Sequence, residues 1–187
     1  MSDDYGTHHV VMADLVARSE YGPVLECGMG YSSTPMLHRM CSGMKRPLFS
    51  FETVPDWADR FSALANHLHI IDVVADWKTV SEIESIPWAV AFVDNAPGET
   101  RIDLIRRLKG HARWSVAHDS ERDYSTGANY GYEKGKPLFK YVSEYRFLRP
   151  YTLVLSDDQP YELDPAELVW TPDAAQQKYF AEKGIKP

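Results

Sequence analysis

Cysteine is scarce in this chain: among 187 residues there are two, Cys27 and Cys41. They form no Cys-x-x-Cys pair, which excludes a thiolate zinc site and a disulfide scaffold of the kind small secreted domains need. The pattern fits a reducing compartment and predicts a cytoplasmic protein. A basic excess is also missing. Twenty Lys and Arg stand against 27 Asp and Glu, for a formal net charge of −7. Proteins that grip a phosphate backbone carry the opposite balance, so nucleic acid is disfavoured as a partner. The basic cluster Arg106, Arg107 and Lys109 reads as the solvated C-terminal end of a helix. No run of 18 apolar residues occurs, and Met1-Ser2-Asp3-Asp4 is acidic with no apolar stretch behind it. Neither a membrane span nor a signal peptide is expected. Repeats and low-complexity linkers are absent as well. One domain is expected over residues 1–187, with a Pro-punctuated tail from about residue 159 wrapping the surface. That length buries a core without help from disulfides or metals.

What the chain does have is alternation. Thr7 to Arg18 reads as a helix with Thr7 as N-cap, Pro23 to Cys27 as a strand, and Thr34 to Met40 as a helix with Pro35 in its first turn. Pro47 to Phe51 is a second strand. Pro55 to Leu68 follows as a helix with apolar Trp57, Phe61, Leu64 and Leu68, and Ile70 to Val74 as a third strand. Trp88 to Val93 is continuously apolar, as a fully buried strand should be. Glu99 to Leu108 is a helix, and Trp114 to Ala117 a fifth strand. Strands alternating with helices predict the α/β class, a doubly wound and mainly parallel sheet with helices on both faces. After Asp119 the alternation stops. A segment rich in Gly and Tyr, Ser125 to Gly135, reads as a loop, with Tyr130 and Tyr132 as candidates for a lid over the site or for plain surface packing. Phe139–Tyr145 and Tyr151–Leu155 read as an antiparallel hairpin closing one edge of the sheet, and Asp173–Glu182 as a final short helix.

The residues that carry chemistry begin with Val24-Leu25-Glu26-Cys27-Gly28-Met29-Gly30-Tyr31-Ser32-Ser33, an apolar strand, a Gly-x-Gly turn, then small hydroxyl residues opening a helix. Glycines allow a tight turn and close approach of the backbone to a ligand, and the helix start offers free N–H groups. The third glycine of a dinucleotide fingerprint is replaced by Ser33. Glu26, two residues before the first glycine, suits an ammonium group, which a pyrophosphate does not supply. The second strand ends in Glu52, placed to accept ribose hydroxyls, and the third leads to Asp76-Trp77, an acid and an aromatic suited to adenine. Ammonium, ribose and adenine are thus met in chain order at successive strand ends, where open α/β sheets bind ligands.

This arrangement, from Val24 to Asp119 and so about half the chain, resembles the class I S-adenosylmethionine-dependent methyltransferases, whose fold is Rossmann-like. The resemblance implies that Glu26, Gly28, Gly30 and Ser32 form the cofactor loop, that Glu52 binds the ribose, that Asp76 with Trp77 faces the adenine, and that Asp94 meets the methionine part and the acceptor. Within that superfamily, Phe92-Val93-Asp94-Asn95-Ala96-Pro97-Gly98 and Val116-Ala117-His118-Asp119 resemble strand ends of O-methyltransferases acting on sugars. Catechol-type O-methyltransferases hold a divalent cation at the same two strand ends. If a cation is used here, Asp94 and Asp119 are its expected ligands, although Ser120 stands where that family has Asn.

Asp94, Asp119 and His118 are the candidate catalytic residues, with turn capping as the alternative role for each Asp. His118 has the ordinary pKa of a general base. Strict strand alternation puts His118 and Asp119 on opposite faces, so only one of the two is expected in the site, with Asp119 favoured. Arg101 is a candidate for an anionic substrate or for a solvated helix face. His8 and His9, being adjacent, cannot share a helix face and are read as covering the substrate side or facing solvent rather than binding metal. The function expected is methylation of a small hydroxylated or sugar-like molecule, the alternative being a protein that binds S-adenosylmethionine or another nucleotide without methylating anything.

Overall fold

In the computed structural model, residues 6–121, 130–163 and 174–183 are described. Along the chain run α1 (His9–Arg18), β1 (Val24–Cys27), α2 (Ser33–Gly43), β2 (Leu48–Glu52), α3 (Pro55–Asp59), β3 (His69–Val73), α4 (Glu82–Ser85), β4 (Trp88–Val93), α5 (Arg101–Leu108) and β5 (Ala112–His118). Then come α6 (Tyr132–Gly135), β6 (Tyr141–Tyr145), β7 (Thr152–Ser156) and α7 (Ala174–Lys183). One seven-stranded sheet has the order β3-β2-β1-β4-β5-β7-β6. β3 to β5 are parallel, β7 is antiparallel to β5, and β6 and β7 form the antiparallel edge hairpin. The expected class, mainly parallel with an antiparallel edge, is the one observed.

The strand period of two sorts the core into layers. Leu25, Cys27, Ala91, Val93 and Ala117 point to one face and pack with Ile83, Leu104, Ile105, Leu108 and Tyr132 from α4, α5 and α6. Val24, Leu48, Val90, Phe92 and Val116 point to the other and pack with Val11, Met12, Leu15 and Val16 of α1 and Leu37 and Cys41 of α2. Every residue of β4 is buried, which accounts for its unbroken apolar run. β1 lies between β2 and β4, so the strand order reverses at its carboxyl end. A crevice opens at such a switch point, and ligands of open α/β sheets bind there.

Several local expectations are corrected. The helix expected to Leu68 ends at Asp59, followed by a single 3-10 turn over Ser62–Leu64. Asn66 ends it: its carboxamide oxygen accepts the N–H groups of Leu68 (2.8 Å) and His69 (3.1 Å), a local turn that outcompetes helix. His8, not Thr7, is the N-cap of α1. The Thr7 hydroxyl instead donates to the Pro150 carbonyl (2.6 Å), tying the start of α1 to the hairpin. Part of the segment read as a loop, residues 125–129, lies outside the described residues; the rest contains α6, in which Tyr132 is buried. The expected tail begins within the described residues, where Tyr161 packs edge-on against Trp114, and continues through 164–173, which lie outside them. Among the described residues no helix is long and apolar enough to cross a membrane.

Candidate functional site

The two ends of the switch-point crevice touch. Gly28 has φ +89°, and a Cβ there would lie 2.5 Å from the Asn95 Cα and 2.6 Å from the Asp94 carbonyl oxygen. Glycine is needed because the exits of β1 and β4 pass against each other, a closer approach than the one to a ligand for which the sequence was read. Gly30 is different: a Cβ there would meet only the Ser33 hydroxyl, at 3.4 Å. Above this turn lies a cleft of about 700 Å³, walled by Met29, Gly30, Tyr31, Ser32 and Ser33 on one side, Trp57 on another, and Asp94 and His8 at the far end. Its size suits a cofactor together with a small partner.

The two acids of the loop support it from below. Glu26 is fully buried. Its carboxyl oxygens accept the hydroxyls of Thr34 (3.0 Å) and Ser50 (2.6 Å), and Thr34 in turn accepts the Gly30 N–H (2.9 Å). Glu26 is therefore not presented to the cleft as an ammonium acceptor; it holds the loop to α2 and β2. Burial raises its pKa to about 7 against the pull of the Ser33, Ser50 and Thr34 hydroxyls. From Ser50 the polar chain continues to His69 Nε2 (2.9 Å) and from His69 Nδ1 to His38 Nδ1 (3.0 Å), reaching the half-exposed rim of α2. Glu52 accepts the Met29 N–H on one oxygen (3.0 Å) and the N–H groups of Thr53 (2.7 Å) and Val54 (3.0 Å) on the other. It thereby fixes the floor of the cleft at the end of β2, beside the wall formed by Met29 and Trp57.

The adenine candidates part company. Asp76 is exposed and caps a 3-10 turn through the Lys78 N–H (2.9 Å). Trp77 is 3% exposed, belongs to the core under α5, and donates its indole N–H to the Ala96 carbonyl (2.9 Å). Its ring is not offered to a ligand. The aromatics at the cleft are Tyr31 and Trp57, edge-on at 5.2 Å, with the Arg60 guanidinium 4.6 Å above Trp57 and 2.8 Å from the Tyr31 hydroxyl. Sequence reading took Trp57 for a helix core position. The signal that it serves the cleft is its place just beyond Glu52, one turn after the second strand end.

At the other end, β4 and β5 bring four charged side chains together. Arg101 of α5, 7% exposed, pairs with Asp94 (2.8 Å) and Asp119 (3.0 Å) and donates to the Asn95 carbonyl (2.9 Å). This is neither a solvated helix residue nor a free cation for an anionic substrate. His118 Nδ1 lies 3.3 Å from Asp94 and 3.5 Å from Asp119. Both His118 and Asp119 thus reach the same cluster, contrary to the alternation argument. The reason is the backbone: Asp119 has φ +55°, a left-handed conformation that Asp tolerates, so the strand ends before its side chain would turn away. A strained residue of this kind is common where geometry serves a site.

The hydrogen bonds assign the protons of His118. Thr7 has one hydroxyl proton, which goes to Pro150, so its oxygen can only accept from His118 Nε2 at 3.1 Å. Nδ1 faces two carboxylates and must donate as well. Burial pulls the His118 pKa down, but the Asp94 hydrogen bond and the charges of Asp94 and Asp119 outweigh it, and the net shift is upward. His118 is a cation here, not a free general base. Asp94, Asp119, Arg101 and His118 form a quartet of zero net charge. Asp94, His118 and Asp119 do offer ligand atoms within 4.8 Å of one another. A divalent ion would however have to displace Arg101 and strip His118 of a proton, so the set does not fit a resident metal. Tyr132 backs the cluster, its hydroxyl donating to the His118 carbonyl (3.0 Å), and Tyr130 lies with its ring 4.3 Å from the Arg101 guanidinium.

No family model and no curated protein matches this chain. Solved structures do. The chain is similar to the human methyltransferase 10 domain containing protein, with a TM-score of 0.55 and 13% identity over 83% of this chain and 82% of that one. It is also similar to a ribosomal protein L11 methylase from Lactobacillus delbrueckii subsp. bulgaricus, with a TM-score of 0.53 and 14% identity over 83% and 80% of the two chains. For a precorrin-6y C5,15-methyltransferase from Geobacter metallireducens GS-15 the TM-score is 0.51 and the identity 10%, over 78% and 85%. At such identities the likeness shows the fold alone, one that these methyltransferases share. The named proteins act on different kinds of molecule.

Proposed function

We propose that this protein is an S-adenosylmethionine-dependent methyltransferase whose acceptor is a small hydroxylated or sugar-like molecule. The observation that carries the reading is the cleft at the switch point, with Gly30 and Ser32 on its wall, the Glu52-braced loop as its floor and Asp94 at its far end. The cofactor, when bound, supplies a methyl group on a sulfonium. The opening turn of α2 meets its carboxylate with backbone N–H groups and the Ser32 hydroxyl. Glu52 stands where ribose hydroxyls donate to a carboxylate, and Tyr31 with Trp57 gives an aromatic wall for the base. Asp94, whose side chain is one quarter exposed, faces the methionine end and the acceptor. Arg101 and His118 lock its rotamer, and Asp119 completes their charge balance from behind. Displacement at a methyl group with a charged leaving group asks mainly for alignment, and a preorganised cleft supplies that. The quartet supports catalysis over mere binding, since it fixes Asp94 at the end of the cleft left to the acceptor. Isothermal titration with S-adenosylmethionine, S-adenosylhomocysteine and NAD tests the cofactor class. Binding of the first two with no heat from NAD is expected; the reverse order would overturn the reading.

A further inference from the structure

His8 stands at the end of the cleft. It is 1% exposed, yet neither ring nitrogen has a hydrogen-bond partner. Its ring packs 4.7 Å from Phe92 and lies edge-on to His118 at 4.7 Å, and it shares the cleft wall with Asp94 and Ser33. The polar groups of the charged cluster beside it are engaged: Thr7, His118, Arg101, Asp94 and Asp119 hold one another. A buried polar group left without a partner costs about 1–3 kcal/mol. Native structures satisfy nearly all such groups, so an exception lining a cleft marks a place a ligand completes. For packing alone, phenylalanine would serve at this position, because both neighbouring contacts are made by ring faces and edges.

We propose that His8 binds the methyl acceptor, taking a hydrogen bond from its nucleophilic hydroxyl and so directing an oxygen lone pair toward the cofactor methyl group; as the O–C bond forms and the C–S bond breaks to leave neutral S-adenosylhomocysteine, the hydroxyl proton passes along that hydrogen bond to His8 and is given up to water as the product leaves. This rests on the methyltransferase reading and names the acceptor side of the same site. The charge pattern sets the acceptor class. Burial lowers the His8 pKa to about 3, with the neighbouring His118 cation pushing the same way, so the ring is neutral at physiological pH. A neutral imidazole receives a hydroxyl without repelling a sulfonium close by. At the His8 end of the cleft a phosphate or carboxylate acceptor would find no available cation, since the guanidinium of Arg101 is spent on Asp94 and Asp119 and that of Arg60 stands at the Tyr31–Trp57 wall. The acceptor group is therefore an uncharged hydroxyl.

The test uses His8→Phe and His8→Asn in the full chain, with three readouts. Thermal unfolding of His8→Phe should be unchanged or shifted upward, because an unpaired polar group is replaced by a ring of similar shape. A fall of more than ~5 °C, roughly 1–2 kcal/mol for a chain of this size, would mark His8 as a structural residue and overturn the inference. Calorimetric affinity for S-adenosylhomocysteine should stay within about threefold, and a tenfold loss would place His8 on the cofactor instead. Transfer of label from methyl-tritiated S-adenosylmethionine into a cell extract freed of protein and nucleic acid should fall at least tenfold in His8→Phe. His8→Asn, which keeps a hydrogen-bonding group, should recover part of it. Equal labelling by wild type and His8→Phe would overturn the inference alone. A wild-type protein that binds S-adenosylhomocysteine but transfers no label would sink the methyltransferase reading, and the inference with it.

Discussion

At the scale of single residues, the site is decided by who holds whom. Gly28 cannot carry a side chain, because both its φ of +89° and the Asp94–Asn95 backbone stand in the way. Gly28→Ala should destabilise the protein by roughly 3 kcal/mol or more, combining left-handed strain with a clash against backbone that cannot yield. Denaturant melts of the two proteins measure this. Glu52 braces three N–H groups and is the ribose partner in the proposed function. Glu52→Ala should weaken S-adenosylmethionine binding by about 1–3 kcal/mol; unchanged affinity in a folded variant would put the ribose elsewhere. Asp119 does not line the cleft and acts through Arg101 and His118, which makes it a positioning residue. Asp119→Ala should lower transfer by about ten- to a hundredfold, on the low side of the usual loss of a general base, while S-adenosylhomocysteine affinity stays within a few-fold. The pH profile of transfer should also move, since removing one carboxylate weakens the hold on the His118 proton.

At the scale of elements, polar clasps join the pieces that apolar packing leaves adjustable. Arg46, 1% exposed, sits between α2 and β2 and donates to the carbonyls of Val16, Glu20 and Gly22 and to the Ser19 hydroxyl. It fastens the end of α1 to the start of β1. Arg46→Met fills the space but orphans those acceptors, and the expected loss is roughly 3–5 kcal/mol from several charge-assisted bonds at once. A melting temperature within two degrees of wild type would contradict that account. Placement of α1 bears directly on the site, since Thr7 and His8 reach His118 and the cleft from just before its first turn. The edge hairpin contributes likewise, through the Pro150 carbonyl that takes the Thr7 proton and so assigns the proton on His118.

For the molecule as a whole, buried titratable groups set a pH optimum of stability. His8, with its pKa lowered to about 3, and His69, lowered to about 4 by burial and then by the neighbouring His38, stay neutral in the folded state where the unfolded chain takes up protons. Their contribution is complete above pH 6.5 and is lost as pH falls from there toward 4 and 3. Glu26 works in the opposite sense. With a folded pKa of about 7, it keeps a proton that the unfolded chain releases above about 4.5, so its contribution is lost as pH rises from 4.5 to 7. His118, its pKa raised, adds to the loss on the alkaline side. Between about pH 4.5 and 6.5 two protons taken up on unfolding outweigh one released. Stability should climb there by about 1.4 kcal/mol per pH unit and peak near 6.5. Chemical unfolding at pH 5, 6.5 and 8 gives the curve, and Glu26→Gln should remove the part of the decline that falls by about pH 7 and leave the part due to His118.

The class, the parallel strands and the edge hairpin could be read from the sequence because they rest on local regularities. β4 shows its burial as an unbroken apolar run, α5 shows its face in Ile102, Ile105 and Leu108, and Gly28 and Gly30 mark the turn between β1 and α2. The place of Asp94 on the cleft was legible because it follows directly on β4, and Glu52 ends the second strand as its sequence position implies. What the sequence could not decide is where side chains go once three or four segments meet. Glu26 and Trp77 stand at the expected strand ends, yet they turn into the protein, because Thr34 and Ser50 satisfy the one and the core under α5 takes the other. Trp57 carries no local mark and His8 reads only as covering the substrate side or facing solvent; their place on the cleft arises from the packing of α3 and α1 across the sheet. His118 and Asp119 could share a site only after a left-handed residue broke the strand period. Periodicity is a property of neighbours along the chain, whereas a site is made by distant segments, whose hydrogen bonds and charges are balanced only in the folded protein.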